Sequence, residues 1–462
     1  MRKGMVLGFA VLIVYIGLTI FAQEKSSNRI VSERLIGKID FSSFVLESIK
    51  VSPDNKRLAY GAKSGDKWFV VVDGKEEKQY DGIAGNLIFS PDSKRLVYGV
   101  GLDNKHFVVI DGKEEKKYDG IAGILIFSPD SKRLAYEAKS GDKWFVVVGG
   151  KEEKQYDGIG AGSLIFSPDS KCLAYGAKSG DKWFVVVDGR EERQYDGIWA
   201  GSFIFSSDNK HVAYGAKSGN KWFVVIDGKE EKQYDGVGNF IFSPNSKQLA
   251  YVAKLGDQQS VVINGKEEQQ YDSIGAGSLI FSPDSKHMAY CVQLGNKHSV
   301  VIDGKGGKQY DSIGNLIFSP DSKHFIYAAW LGDKRSVVID GKEEKQYDDI
   351  MGNLIFSPDS KRLAYIVRLG DKQSVVIDGK EEKQYGCIGA CLIFSPDSKH
   401  LAYIVTLGNK WSVIIDGKEG KQYDGTITIG GGKIVFDTAN SFRYLAMMKS
   451  GEIYLVEEKI EE

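Results

Sequence analysis

This chain is poor in proline (9 residues), cysteine (4) and histidine (6), and it carries no excess charge of either sign. Its 61 Lys and Arg balance 62 Asp and Glu to a net charge of −1. That balance supplies no basic stripe and argues against a nucleic-acid partner. The cysteines (Cys172, Cys291, Cys387, Cys391) are too few and too irregularly spaced for a disulfide framework. Cys387 and Cys391 lie close together in a loop, so a local bridge between them stays open. A G-x-S-x-G elbow, a phosphate-cradling loop and a dinucleotide fingerprint are all missing.

One long apolar run is present, from Met5 to Ala22, behind Arg2 and Lys3 and ahead of the polar stretch Gln23-Glu24-Lys25-Ser26-Ser27. Basic, apolar, then small before polar is the order of a secretory signal spanning residues 1–22. The run of 18 residues is also near the lower limit for a membrane span, so an uncleaved N-terminal anchor is the alternative. Either reading places the body outside the cytoplasm, periplasmic or secreted, with residues 23–33 as a linker.

Glycine (54 residues) and aromatic residues (11%) are plentiful, which suits many strands joined by tight turns. Nearly everything after the linker is repeat. The segment Phe89-Ser90-Pro91-Asp92-Ser93-Lys94 recurs with its first serine at 52, 90, 128, 167, 206, 243, 282, 319, 357 and 395. The steps of 37 to 39 residues match a four-stranded propeller blade. From Phe89 to Tyr118 is 29 residues, and this interval holds in every repeat. All length variation falls between that tyrosine and the next phenylalanine, 8 to 10 residues on. A rigid unit with an elastic connection is what strand register demands, so the variable stretch reads as a crossover loop.

Within the unit, Leu87-Ile88-Phe89 reads as strand a, and Ser-Pro-Asp-Ser as a turn with φ pre-set by proline. Arg95 to Tyr98 is strand b, and the unbroken apolar run Trp68 to Val72 is strand c, buried on both faces. Asp73-Gly74 is a hairpin signal, and polar Glu77 to Tyr80 is an outer edge strand d. The fold class is therefore all-β: a β-propeller of four-stranded antiparallel blades, with ten full repeats over residues 49–425. A degenerate last blade at 433–458 has strands a, b and c only, and residues 34–39 are expected to supply its d strand. One large ring of eleven blades is favoured. Two rings are the alternative, because the repeats split into a K-S-G type and an L-G type.

The run F-S-P-D-S-K-R-L-A-Y resembles the WD40-like repeat of TolB-type propellers. The resemblance covers the repeats alone. It implies the propeller fold and leaves the ligand open, since the α/β domain that precedes the TolB propeller has no counterpart here.

No catalytic residue, metal ligand or cofactor site is assigned. His211, His287, His324 and His400 share one repeat position, and His106 and His298 share another, so equivalent histidines point apart around a ring. The aspartate of S-P-D (Asp92, Asp130, Asp397) is a turn cap that Asn245 replaces once. The D-G-K-E-E turns lack the alternating oxygen ligands of a calcium loop. Departures from the repeat are the better pointers. Trp199 stands in the stretch I-W-A-G-S, read as a crossover loop, and Trp330 in a b–c turn; both are candidate ligand-binding anchors. Trp68, Trp144, Trp183, Trp222 and Trp411 open strand c and read as core. The expected function is a binding scaffold for a protein partner, with no enzymatic activity. The alternatives are a propeller glycosidase or lyase, and a cell-envelope protein that binds a glycan or repetitive polymer.

Overall fold

The computed structural model describes residues 25–26, 29–389, 392–426, 428 and 430–461. Residues 1–22, with the signal or anchor expected there, lie outside the described residues, as does Cys391 with the bridge to Cys387. The described chain forms eleven antiparallel blades in a single ring. In blade 2 the strands are Gly82–Phe89, Leu96–Leu102, Lys105–Ile110 and Lys113–Glu114, paired a-b-c-d in that order.

Short-range chemistry builds each blade. All nine prolines sit in a–b turns. The Ser90 hydroxyl donates to Asp92 Oδ1 at 2.6 Å and accepts from the Arg95 amide at 2.9 Å. Ser93 completes that turn at φ 64°, a left-handed conformation held by these bonds. Asp111-Gly112 turns at φ 48° and 78°, as a two-residue hairpin requires. The Asp111 carboxylate then accepts from the Leu96 amide at 2.8 Å, which ties the two turns together.

The same residues join the blades. The Asp92 amide donates to Ser131 Oγ of blade 3 at 2.9 Å, and the equivalent bond recurs at nine successive junctions, from Asp54–Ser93 to Asp359–Ser398. Further out, Lys116 of blade 2 meets Glu152 of blade 3 at 2.6 Å. Between these belts the d-strand tyrosine packs edge-on against the next b-strand tyrosine, as Tyr118 does against Tyr136 at 6.5 Å. The junction between the two repeat types is ordinary: the Asp208 amide donates to Ser246 Oγ at 2.9 Å. That continuity is why the chain makes one ring and not two.

The variable stretch is not a crossover loop. Strand a begins at Gly82, two residues after Tyr80, and the extra residues form a bulge inside it, between Ala84 and Ile88. Other blades bulge at Ala122/Leu125, Trp199/Ile204, Gly238/Ile241 and Met351/Ile355, or break strand a in two, as at Gly158–Ile159 and Ile165–Phe166. The bulge is tolerated because strand a has a ladder partner on one side only.

The eleventh blade joins the chain ends. Its strands are Gly425–Thr426 with Val435–Phe436, then Ser441–Met447, Glu452–Ile460, and finally Arg29–Lys38 from the other end of the chain. The closing strand is longer than expected. It starts at Arg29, inside the stretch read as linker, because Arg29 and Val31 are themselves buried in the junction.

Candidate functional site

Antiparallel strand order puts the a–b and c–d turns on one face of the ring, the proline face. The b–c turns and d–a crossovers form the other, the crossover face. Neighbouring a strands pack directly on each other, whereas d strands meet through long polar side chains, as Lys116 meets Glu152 and Arg193 meets Glu230. Strand a therefore lines the inner wall, where blade spacing is narrowest.

Trp199 lies on that wall. It sits in strand Gly197–Phe205 at the bulge, not in a crossover loop, and it is 40% exposed. Its ring rests on the next blade, 5.7 Å from the Phe240 ring and against Gly238, where a Cβ would come within 3.3 Å. Trp330 is half-buried and belongs to strand Phe325–Leu331, paired with Ser312 on one side and Arg335 on the other. This corrects its placement in a b–c turn: strand b runs further than the apolar run K-R-L-A-Y shows. Its ring covers Gly314, and the Arg335 guanidinium lies 5.6 Å from the ring centre. Four other blades make the same cross-strand pair with the partners exchanged: Lys63–Trp68, Lys139–Trp144, Lys178–Trp183 and Lys217–Trp222, at 5.4 to 5.9 Å. These c-strand tryptophans are half-buried under a lysine rather than in the core, and Trp411 is half-buried opposite Thr406.

Of the two candidates, Trp199 alone borders a cavity in the wall. A cavity of about 480 Å³ runs from Trp199 past Gly238 and Asn239 to Gly275. A second, of about 560 Å³, continues from Gly275 past Cys291 and His298 to Gly314; Trp330 does not line it and packs towards Ile350 and Leu354 of the following blade. Bulge chemistry shapes both. Gly277 (φ 69°) and Asn239 (φ 51°) turn left-handed, and Ser278 Oγ donates to Gly275 O at 2.7 Å while accepting from the Cys291 amide at 3.1 Å.

Sequence reading passed over two features of this molecule. On the crossover face, Leu255, Leu294 and Leu331 are 45%, 38% and 41% exposed on consecutive blades. Ser64, Ser140, Ser179 and Ser218 occupy the same position in blades 1, 3, 4 and 5. The L-G subtype was visible; that its leucines form one apolar sector required the ring. The other is Glu137, where other blades carry Gly61, Gly99, Gly176, Gly215, Val252 or Ile366. It is 3% exposed between Ala122 and Val146, and burial alone pushes its carboxyl up to about 7. A lone charge at an apolar repeat position was the available signal.

The a–b turn aspartates and four of the histidines are committed to turns. Ser282 and the Lys286 amide hold the Asp284 carboxyl down at about 2, and Asp321 is held likewise by Ser319 and Lys323. His211, His287, His324 and His400 stand in four different blades, each with Nδ1 on the aspartate of its own c–d turn at 2.6 to 2.8 Å.

No family profile matches this chain, and no curated protein matches it. Among solved structures it is similar to a eukaryotic initiation factor, 17% identical with a TM-score of 0.41, over 73% of this chain and 96% of that one. It is similar to a GH74 enzyme of Niastella koreensis, 14% identical with a TM-score of 0.29, over 93% and 78%. TolB from Acinetobacter baumannii is 13% identical with a TM-score of 0.25, over 63% and 81%. The chain is a β-propeller on the evidence of its own eleven four-stranded blades.

Proposed function

We propose that this chain is an exported binding scaffold, built from TolB-type WD40-like repeats and without catalytic activity, that holds a protein partner on the crossover face of blades 5 to 8. One observation carries the reading. Of the seven exposed large apolar side chains among the described residues, four (Trp199, Leu255, Leu294, Leu331) fall on the successive blades 5 to 8, while most acids and bases are spent on turns and belts. An apolar sector rimmed by charge is the form of a protein-binding surface. The basic and apolar N-terminal segment supports a periplasmic or secreted place, with membrane attachment only if that segment is kept.

The test is affinity capture from the organism's envelope with residues 23–462 as bait, beside a variant carrying Leu255→Ser, Leu294→Ser, Leu331→Ser and Trp199→Ala. A protein retained by the first and lost by the second supports the proposal. A glycan-array hit that the substitutions abolish, with no protein retained, overturns the choice of partner.

A further inference from the structure

At four blade junctions on the proline face, an arginine at the start of strand b fills a seat on the following blade. Arg57 lies 5.3 Å from the centre of the Phe89 ring, Arg95 4.9 Å from Phe127, Arg133 5.0 Å from Phe166, and Arg362 5.2 Å from Phe394. The carbonyls of the next a–b turn complete the seat. Arg57 donates to Lys94 O at 2.7 Å, Arg133 to Lys171 O at 2.9 Å and Arg362 to Lys399 O at 2.9 Å.

Six other junctions lack the arginine, with Cys172, His211, Gln248, His287, His324 or His400 in its place, and two of these six open into a cavity. Before blade 7 the residue is Gln248, and before blade 9 it is His324. His324 is turned away, its Nδ1 on Asp340 of its own blade at 2.8 Å. Cavities open at both places. One, of about 190 Å³, is lined by Gln248, Phe281, Lys286 and Glu268. The other, of about 290 Å³, is lined by His324, Phe356, Lys361 and Glu344. Each thus presents a phenyl ring, the residue whose carbonyl takes the guanidinium elsewhere, and a carboxylate. Arg362 also borders the second cavity, but it donates towards Asp378 and across to Lys399 O, away from the empty seat.

We infer that these two cavities are binding sites for a guanidinium group, which takes the place of the missing arginine. A planar, weakly hydrated cation that stacks on an aromatic face while donating in its own plane suits the seat. An ammonium suits it less, because its donors are not coplanar. The sites are on the face opposite the leucine sector and do not depend on the partner proposed there.

Saturation-transfer NMR of residues 23–462 tests this with three probes: N-acetyl-arginine amide for an arginyl side chain, free arginine for a solute, and N-acetyl-lysine amide as control. Transfer to a guanidinium probe should exceed transfer to the lysine probe by about threefold or more. Whichever arginine probe is stronger identifies the source. The variant Gln248→Arg with His324→Arg supplies both seats from the chain itself, so transfer should fall to the lysine level while the melting temperature rises. Undiminished transfer in that variant, equal transfer to all probes, or a lowered melting temperature would overturn the inference. None of these outcomes bears on partner capture by the opposite face.

Discussion

Arg29 donates to Glu458 at 3.1 Å, with both side chains buried, so the first and last strands of the ring meet in an ion pair. Tyr444 donates to the other carboxylate oxygen at 2.7 Å, and Arg29 also reaches Lys418 O of blade 10 at 2.7 Å. The pair sits where ring closure depends on two segments far apart in the chain. Removing one partner of such a pair leaves an uncompensated buried charge, which costs about 3–5 kcal/mol. Arg29→Met and Glu458→Gln should each lower the urea midpoint accordingly, and Arg29→Met with Glu458→Met should recover part of the loss. Deleting residues 452–462 removes strand c of this blade and should sharply depress the melting temperature. An unchanged melting curve would rule out closure by the chain ends.

Glu137 makes stability fall with rising pH. Its carboxyl titrates near 7 in the folded chain against an ordinary 4.5, so the unfolded chain gives up this proton first. The penalty is absent below about pH 4 and complete above about pH 7, where it reaches about 3 kcal/mol. Urea midpoints at acid and alkaline pH should diverge more in the parent than in Glu137→Gln. Equal divergence in the two proteins would show that the carboxyl is not desolvated.

The bulges should absorb length and the ladders should not. A glycine inserted after Gly85 extends a bulge that already varies between blades, and it should shift stability by less than about 1 kcal/mol. The same insertion between Tyr98 and Gly99 flips strand b relative to its two partners and should prevent folding of that blade. Circular dichroism and melting curves of the two variants decide the matter.

Trp330 and Arg335 should be exchangeable as a pair. Trp330→Lys with Arg335→Trp restores the arrangement of Lys63 and Trp68, and its stability should match the parent within about 0.5 kcal/mol. Each single substitution should cost about 0.5–1 kcal/mol more than the double. Additive losses in the double-mutant cycle would mean that the ring and the cation are not coupled.

The blade was legible because its chemistry is short-range. Ser90, Asp92 and Arg95 bond within one turn, and Asp111-Gly112 makes a hairpin that two residues specify. The candidate site was only half legible. Trp199 stood out as a break in the repeat and does line a cavity. Trp330 stood out equally, yet it is the exchanged half of a pair whose other member, Arg335, lies on the neighbouring strand. Glu137 escaped notice because a single substitution inside strand b changes neither length nor motif.

By itself the sequence determined the repeat unit, its turns and its edge strand, since each follows from contacts within about forty residues, and it marked the two incomplete chain ends by what each lacks of a repeat. Tertiary structure alone decided three further matters: that one ring closes, that the spare residues bulge from the inner wall instead of looping across, and that leucines on successive blades form one sector. These depend on the angle between neighbouring blades summed around the ring, and no local pattern of residues encodes that sum.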